Sequence, residues 1–142
     1  MLEAGQIING TWGKMFLDDQ EIMEVKAVNC EVEAEFAQVN MLHTLDEHEK
    51  LIGLKGSGSF TVYKVNTGIA KDVIEQWKRG KNPYFKIVFQ LADPESEGFE
   101  TAVIGKAWLS KLTLTQFEPK KLLEREFPFR FTVTSFEYED TI

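Results

Sequence analysis

The sequence predicts a mainly β protein: an antiparallel β-sandwich or barrel-like subunit with one flanking α-helix and a long protruding hairpin. Three observations carry that expectation. Apolar and polar residues alternate with period two over most of the chain, as strands with one buried face require. One segment only, beginning near residue 68, repeats its apolar residues at helical spacing. Finally, Val25 to Val65 reads as two strand arms around an acidic tip. An arm of about 14 residues would span roughly 45 Å at about 3.3 Å per residue. Strands usually run about 3–10 residues, so part of this hairpin must lie against something other than its own small domain.

In the first arm Val28, Cys30, Val32, Ala34 and Phe36 form an apolar face, alternating with Asn29, Glu31, Glu33 and Glu35. In the second, Leu54, Phe60 and Val62 share a face with Gly56 and Gly58, while Ser57, Ser59, Thr61 and Tyr63 take the other. Val25 and Ala27 fall on the glutamate face. Either a preceding hairpin covers that part of the face, which is the favoured expectation, or a bulge near Asn29 switches the register. Glycines inside a strand pattern mark a bend or the close approach of another backbone. Residues 41–52, MLHTLDEHEKLI, are too polar for a core strand and are expected as the tip loop.

The remaining elements follow in order. Residues 1–9 lack periodicity and read as an N-terminal arm ordered by a partner. Thr11 to Leu17 is a strand with Met15 and Leu17 on one face and Trp12, Lys14 and Phe16 on the other. Asp18-Asp19-Gln20 turns the chain, and Glu21 to Met23 returns. The helix is expected over 68–80, capped by Asn66 or Thr67 and stopped by Gly80, with Ile69, Ala70, Val73, Ile74 and Trp77 as its stripe. Tyr84 to Leu91 and Phe99 to Leu109 are strands; the second is apolar on both faces, which suits an interior or interface position. Leu112 to Phe117 is expected to continue the sheet and Pro119 to Glu124 to form a helical turn. Phe127, Phe129, Phe131 and Val133 line the last strand, with Pro128 at an edge or bulge. The acidic tail from Tyr138 reads as loose.

Composition bounds the function. At 142 residues the chain is long enough for one domain with a real core. A net charge of -7, with no basic run longer than two residues, argues against stable nucleic-acid binding. Ten acidic residues between Asp18 and Glu49 are opposed by Lys26 alone. This concentration reads as a solvated face or as a surface that repels polyanions. The lone Cys30 excludes an intrachain disulfide, and its apolar setting makes it a buried thiol rather than a nucleophile. The opening residues show no signal-peptide pattern and no apolar run reaches ~18 residues, so a soluble chain made in a cytoplasm, without membrane insertion, is expected.

Catalytic and cofactor signals are weak. No serine lies in a nucleophile elbow, and the glutamate ladder on an open strand face does not flank a sugar-sized cleft. Gly56-Ser57-Gly58 opens no helix and so is no phosphate loop. His43 and His48 among Asp46, Glu47 and Glu49 show no convergent second shell for a metal. No enzyme activity and no cofactor is expected.

Taken together, Gly10-Thr11-Trp12-Gly13, the short acidic hairpin, the glutamate-bearing strand, the run Gly56-Ser57-Gly58-Ser59-Phe60-Thr61-Val62-Tyr63-Lys64-Val65 and the helix resemble the tail tube proteins of contractile-tailed phages. Within that family the resemblance is to the proteins of PBSX-like defective prophages and R-type tailocins. Asn82-Pro83-Tyr84-Phe85 and Glu126-Phe127-Pro128-Phe129-Arg130-Phe131 fit the same family's later strands, so the likeness covers essentially the whole chain, residues 1–142, as a single domain. The resemblance implies six subunits closing into a ring, rings stacking into a tube within a sheath, and hairpins joined edge to edge into one inner barrel. It implies Glu31, Glu33, Glu35, Ser57, Ser59 and Thr61 as lumen-lining. Inter-ring contacts fall to Leu2, Gln6 and Ile7 in the arm and to His43, Leu45, Asp46, Glu47, His48, Glu49 and Lys50 at the tip. Implied partners are further copies of the chain, the tail sheath protein, and the baseplate and tape-measure proteins, in a virion or tailocin particle assembled in the bacterial cytoplasm. The opposite orientation, with carboxylates outward toward the sheath, stays open on the residues alone. The competing expectation is a monomeric ligand-binding β-barrel or sandwich, and a secreted ring protein of the type VI system is a near neighbour in architecture.

Overall fold

The structure is a computed structural model that describes residues 13–22, 25–63, 68–92 and 99–140. The expected arm, the helix cap at Asn66 or Thr67, and Leu2, Gln6 and Ile7 lie outside the described residues. The strands are β1 (Gly13–Leu17), β2 (Gln20–Glu21), β3 (Val25–Val39), β4 (His48–Tyr63), β5 (Phe85–Leu91), β6 (Glu100–Leu109), β7 (Glu124–Phe131) and β8 (Phe136–Asp140), with one helix, α1 (Gly68–Lys78), after β4. They form a single antiparallel sheet in the order β2-β1-β5-β6-β7-β4-β3, from which β8 branches by pairing with β6. The mainly β, one-helix architecture is the predicted one.

The period-two alternation builds the core. Phe127, Phe129 and Phe131 of β7 lie on one face with Phe60 and Val62 of β4, and all five are buried. Phe60 stacks on Phe127 at 5.1 Å, and Phe129 bridges Phe60 and Phe131 at 6.2 Å each. Met15, Ile87, Ile104, Ala107 and Leu109 complete the sheet's contribution, and Val73 of α1 closes the core from outside the sheet. Ile69, Ala70 and Trp77 pack beside it as the helical stripe predicts. The helix ends in a Schellman motif: Lys81 N–H donates to Gln76 O and Gly80 N–H to Trp77 O, both at 3.0 Å, with Gly80 at φ +76°.

Asp18 and Asp19 take positive φ, the geometry of a two-residue turn whose twist matches its flanking strands. The return strand therefore starts at Gln20, one residue earlier than expected. Asp18 also ties the turn to β5: its N–H donates to Lys86 O, and its Oδ1 accepts from Lys86 N–H.

Several expectations are corrected. The tip loop is shorter than 41–52, because His48 to Leu51 already pair with Val39 to Phe36. The 110–123 segment carries neither the strand expected over Leu112 to Phe117 nor a helical turn after Pro119. Its apolar residues lack a period-two partner strand, and Lys120 sits at φ +63°. Strand β7 ends at Phe131, and Val133 belongs to a 3-10 turn, Val133–Ser135. Through Asp140 the tail is a strand rather than loose: β8 pairs Phe136 with Ile104 and Tyr138 with Ala102. Phe136 also lies 6.3 Å from Phe131, an aromatic contact that the surrounding acidic residues concealed.

Strand β6 is interior, as its two apolar faces imply, with β5 on one side and β7 and β8 on the other. Pro128 lies at the margin of the β6–β7 pairing. Its carbonyl accepts from Ser110 N–H just beyond the last pair, Leu109 with Phe129. Within a strand a residue's N and O point to the same side, so the missing donor faces the end of β6 and breaks no ladder bond.

Candidate assembly surface on the long hairpin

The hairpin of β3 and β4 has two parts. Its base, Gly56 to Tyr63 of β4, pairs with β7; outward of Gly56, β4 pairs with β3 alone. Strand β3 has β4 on one side and no described strand on the other along its whole length.

Two glycines permit the base to pack. A Cβ on Gly56 would stand 2.5 Å from the Phe131 ring, and one on Gly58 would stand 2.3 Å from the carbonyl oxygen of Asn29 and 2.7 Å from Phe129. The close approach expected of these glycines is thus made by two phenylalanine rings and the β3 backbone. The parity question at Val25 resolves as a bulge at Lys26, not near Asn29 where the alternative put it, and not as the favoured covering hairpin. Val25 pairs with Val62 and Ala27 with Thr61, leaving Lys26 as the extra residue. Val25 therefore turns to the core while Ala27 stays exposed on the polar face. A second shift lies between Glu35 and Phe36, where Ile52 is the extra residue.

The polar face holds the six residues predicted for it, in rows. Thr61 lies beside Ala27 and Glu126, Ser59 beside Asn29 and Pro128, and Ser57 between Glu31 and Arg130. Glu33 is opposite Lys55, and Glu35 is opposite Gly53. Asn29 Nδ2 donates to Glu31 at 3.3 Å. Lys26 forms an ion pair with Glu124 at 2.7 Å, which raises the lysine pKa through the hydrogen bond and then through the carboxylate's charge. The face is therefore charge-mixed. Period-two reading of the arms missed Lys55, because it interrupts no polar pattern, and it could not find Arg130, which arrives from a strand some 70 residues later in the chain.

The opposite, apolar face departs from expectation. Val32 is 49 % and Phe36 55 % exposed, and Val28, Leu51 and Leu54 are also exposed. Only near the base does the core cover this face. Cys30 there is half-buried, and burial, followed by the neighbouring Glu31 charge, pushes its thiol pKa up. At the tip, His43 takes φ +66°, and Thr44 Oγ1 accepts from Asp46 N–H at 3.1 Å. Leu42, Leu45, Asp46, Glu47, His48, Glu49 and Lys50 all face solvent. Among the described residues no three His, Cys, Asp or Glu side chains could share a metal ion, and no helix is long and apolar enough to cross a membrane.

A long strand with no described partner along one edge, an exposed apolar face and a mixed polar face is a surface suited to meeting another chain, as in structural proteins that assemble. The chain belongs to the phage tail tube protein family, whose model matches residues 1–140. It is 29 % identical over 132 residues to the phage-like element PBSX protein XkdM of Bacillus subtilis (strain 168), covering 92 % of this chain and 90 % of that protein. The uncharacterized protein YqbM of the same organism matches equally. Among solved structures, the fold is shared with the tube-terminating cap of the anti-feeding prophage (TM-score 0.78, 7 % identity, 99 % of this chain and 96 % of that one). It is also shared with a chain of the sheath-tube complex of the extracellular contractile injection system PVC (TM-score 0.75, 11 % identity, 95 % and 93 %). The chain is thus a structural component of a phage tail or tail-like particle and not an enzyme.

Proposed function

We propose that six copies of this chain close into a ring, that rings stack into the inner tube of a contractile tail, and that the tube is the conduit for DNA ejection or envelope penetration. The observation that carries this reading is the hairpin: the 15 residues of β3 have no described strand along their outer edge, and the apolar face is exposed at Val28, Val32 and Phe36. Isolated proteins blunt such edges, and closing a barrel abolishes them. In a ring each hairpin would pair with its neighbour, and the apolar face would be covered by the rest of the assembly.

On this reading the polar face lines the bore, with Glu31, Glu33, Glu35, Ser57, Ser59 and Thr61 on it. Lys55 and Arg130 share that face, so the lining is hydrophilic with its carboxylates gathered along β3. Such a surface holds phosphates poorly and lets a polyanion slide. The exposed tip, His43 and Leu45 to Lys50, and the arm residues Leu2, Gln6 and Ile7 would reach the adjoining ring. Partners would be the sheath protein outside and the baseplate and tape-measure proteins during assembly; the sheath-tube organisation of the PVC neighbour supports the first of these.

Negative-stain microscopy and sedimentation of the purified full chain test the proposal. Rings or tubes of uniform diameter are the expected result. A clean monomer at high concentration would overturn it in favour of a ligand-binding barrel. For the bore, lysine at positions 31, 33 and 35 should impair ejection or killing; normal assembly with undiminished ejection would remove the requirement for acidic residues there.

A further inference from the structure

We propose that the basic rim around Tyr84, at the C-terminal end of α1, is a docking surface for an acidic segment of a chain other than this one. The inference goes beyond the ring reading and uses it once, to set aside a second copy as the occupant. In a chain of net charge -7, residues 76–91 hold four cations and no acid: Lys78, Arg79, Lys81 and Lys86. Asp18 lies against the Lys86 backbone, so Lys86 is left out. The other three crowd the last turn of α1 and its exit, and all are exposed. Trp77 Nε1 donates to Asn82 Oδ1 at 3.2 Å, which holds that exit against the helix. Lys81 and Tyr84 are three residues apart, at most about 11 Å between Cα atoms. A fourth cation, Lys106, arrives from β6: its Nζ stands 4.4 Å from the centroid of the Tyr84 ring.

The aromatic centre of this rim is fixed in place and left open. Tyr84 is 54 % exposed, yet its ring meets Trp108 edge-on at 6.0 Å and 86°. Lys106 is anchored through its backbone: its N–H donates to Ser135 Oγ at 3.2 Å, and its carbonyl accepts from Thr132 N–H at 3.3 Å. A rigid, exposed tyrosine flanked by cations has the composition of an interface anchor, since it offers contact area and charge at little entropic cost. The helix dipole accounts for Lys78 and Arg79. It accounts for neither Lys81, past the glycine stop, nor Lys106, on a strand. Glu75, one turn earlier, is the nearest acid on α1, and none of the four cations makes an ion pair with a described residue. Four cations are too few to hold a phosphate backbone against the field of an acidic protein, which favours the carboxylates of a short protein segment. The hairpin's own carboxylates are assigned by the ring reading to the bore and to contacts between copies, which leaves this rim for a different chain.

The experiment titrates the full-length protein into fluorescein-labelled peptides of about 12 residues, one alternating glutamate with serine and one glutamine with serine, and reads anisotropy at about 0.05 M salt. The glutamate peptide should bind about tenfold more tightly than the glutamine peptide. Tyr84→Ala and Lys106→Ala should each weaken it about fivefold, and Lys81→Glu should abolish it. Lys14→Ala, paired with Gln90 at the far end of β5, should leave it unchanged. Thermal melts verify that each variant folds, and ring formation by the three rim variants should match wild type. Equal binding of the two peptides, or rim variants that bind as wild type does, would overturn the proposal. Tighter binding of a single-stranded DNA of the same length would assign the rim to phosphates, and loss of rings in the rim variants would assign it to a second copy; either result overturns it too. Absence of wild-type rings removes the ring reading, whereas the peptide titration decides the rim by itself.

Discussion

At the residue scale, small side chains and local charges decide what the hairpin base tolerates. The atom that a Gly58 Cβ would meet is a backbone oxygen of β3, which cannot swing aside as a side chain can. Gly58→Ala should therefore destabilise by about 1–3 kcal/mol, read as a lower urea midpoint with unchanged slope. Titration gives a second prediction. The folded-state pKa values of Cys30 and Lys26 are both raised, the first by burial and the second by its hydrogen bond to Glu124. A raised group contributes fully below its unfolded value and loses that contribution as pH climbs through its folded value. Melting temperature should thus fall on the alkaline side, from about pH 9 for the thiol and about pH 10.5 for the amine. Melts between pH 7 and 11 check this, and Cys30→Ala should remove the earlier limb. Cys30 shows how far its residue pattern reached: alternation put it on the apolar face, but only the fold left it half-covered there.

At the scale of elements, the hairpin and the tail divide between folding and assembly. Phe60 at the base is buried against Phe127 and Phe129, so Phe60→Ala should cost about 3–5 kcal/mol of monomer stability. Phe36, farther out on the same face, is 55 % exposed. Phe36→Glu should leave the monomer melting point nearly unchanged and yet abolish higher-order sedimentation, which separates the assembling part of this hairpin face from its folded base. Strand β8 is the reverse case. Ending the chain after Ser135 would unpair β6 from Thr101 to Ile104 and remove Phe136 from Phe131, so circular-dichroism melts should show a clear loss of stability. The sequence concealed β8 because Glu137, Glu139 and Asp140 gave it the composition of a solvated tail, whereas Phe136 and the backbone ladder hold it. The 110–123 segment departs from expectation for a different reason: Leu112 and Leu114 alternate like a strand, but no described strand pairs with them.

For the whole molecule, the sheet's branching is what leaves the outer hairpin with only its own two strands among the described residues. Had β7 continued alongside β4 beyond Gly56, the outer half of β4 would have been an interior strand. Instead the chain turns at Val133 to Ser135 and spends its last described strand on β6, leaving the outer half of β4 on one side and β3 on the other without a described partner strand. Assembly should therefore be concentration-dependent and should raise the apparent melting temperature as protein concentration rises. Differential scanning at concentrations a hundredfold apart measures this directly, and a constant melting temperature would show that the hairpins fold without partners.

The sequence by itself determined the class of fold, the helix with its glycine stop, the long two-armed hairpin, and the division of that hairpin into polar and apolar faces. These follow from period and turn chemistry, which are local. The tertiary structure alone decided that a bulge at Lys26 separates Val25 from Ala27, that Arg130 joins the glutamates on the polar face, and that the apolar face runs out beyond the core. Those outcomes depend on pairing between strands far apart in the chain. A strand's alternation fixes which side chains share a face; which neighbour that face meets, and where the neighbour ends, is set by the rest of the sheet.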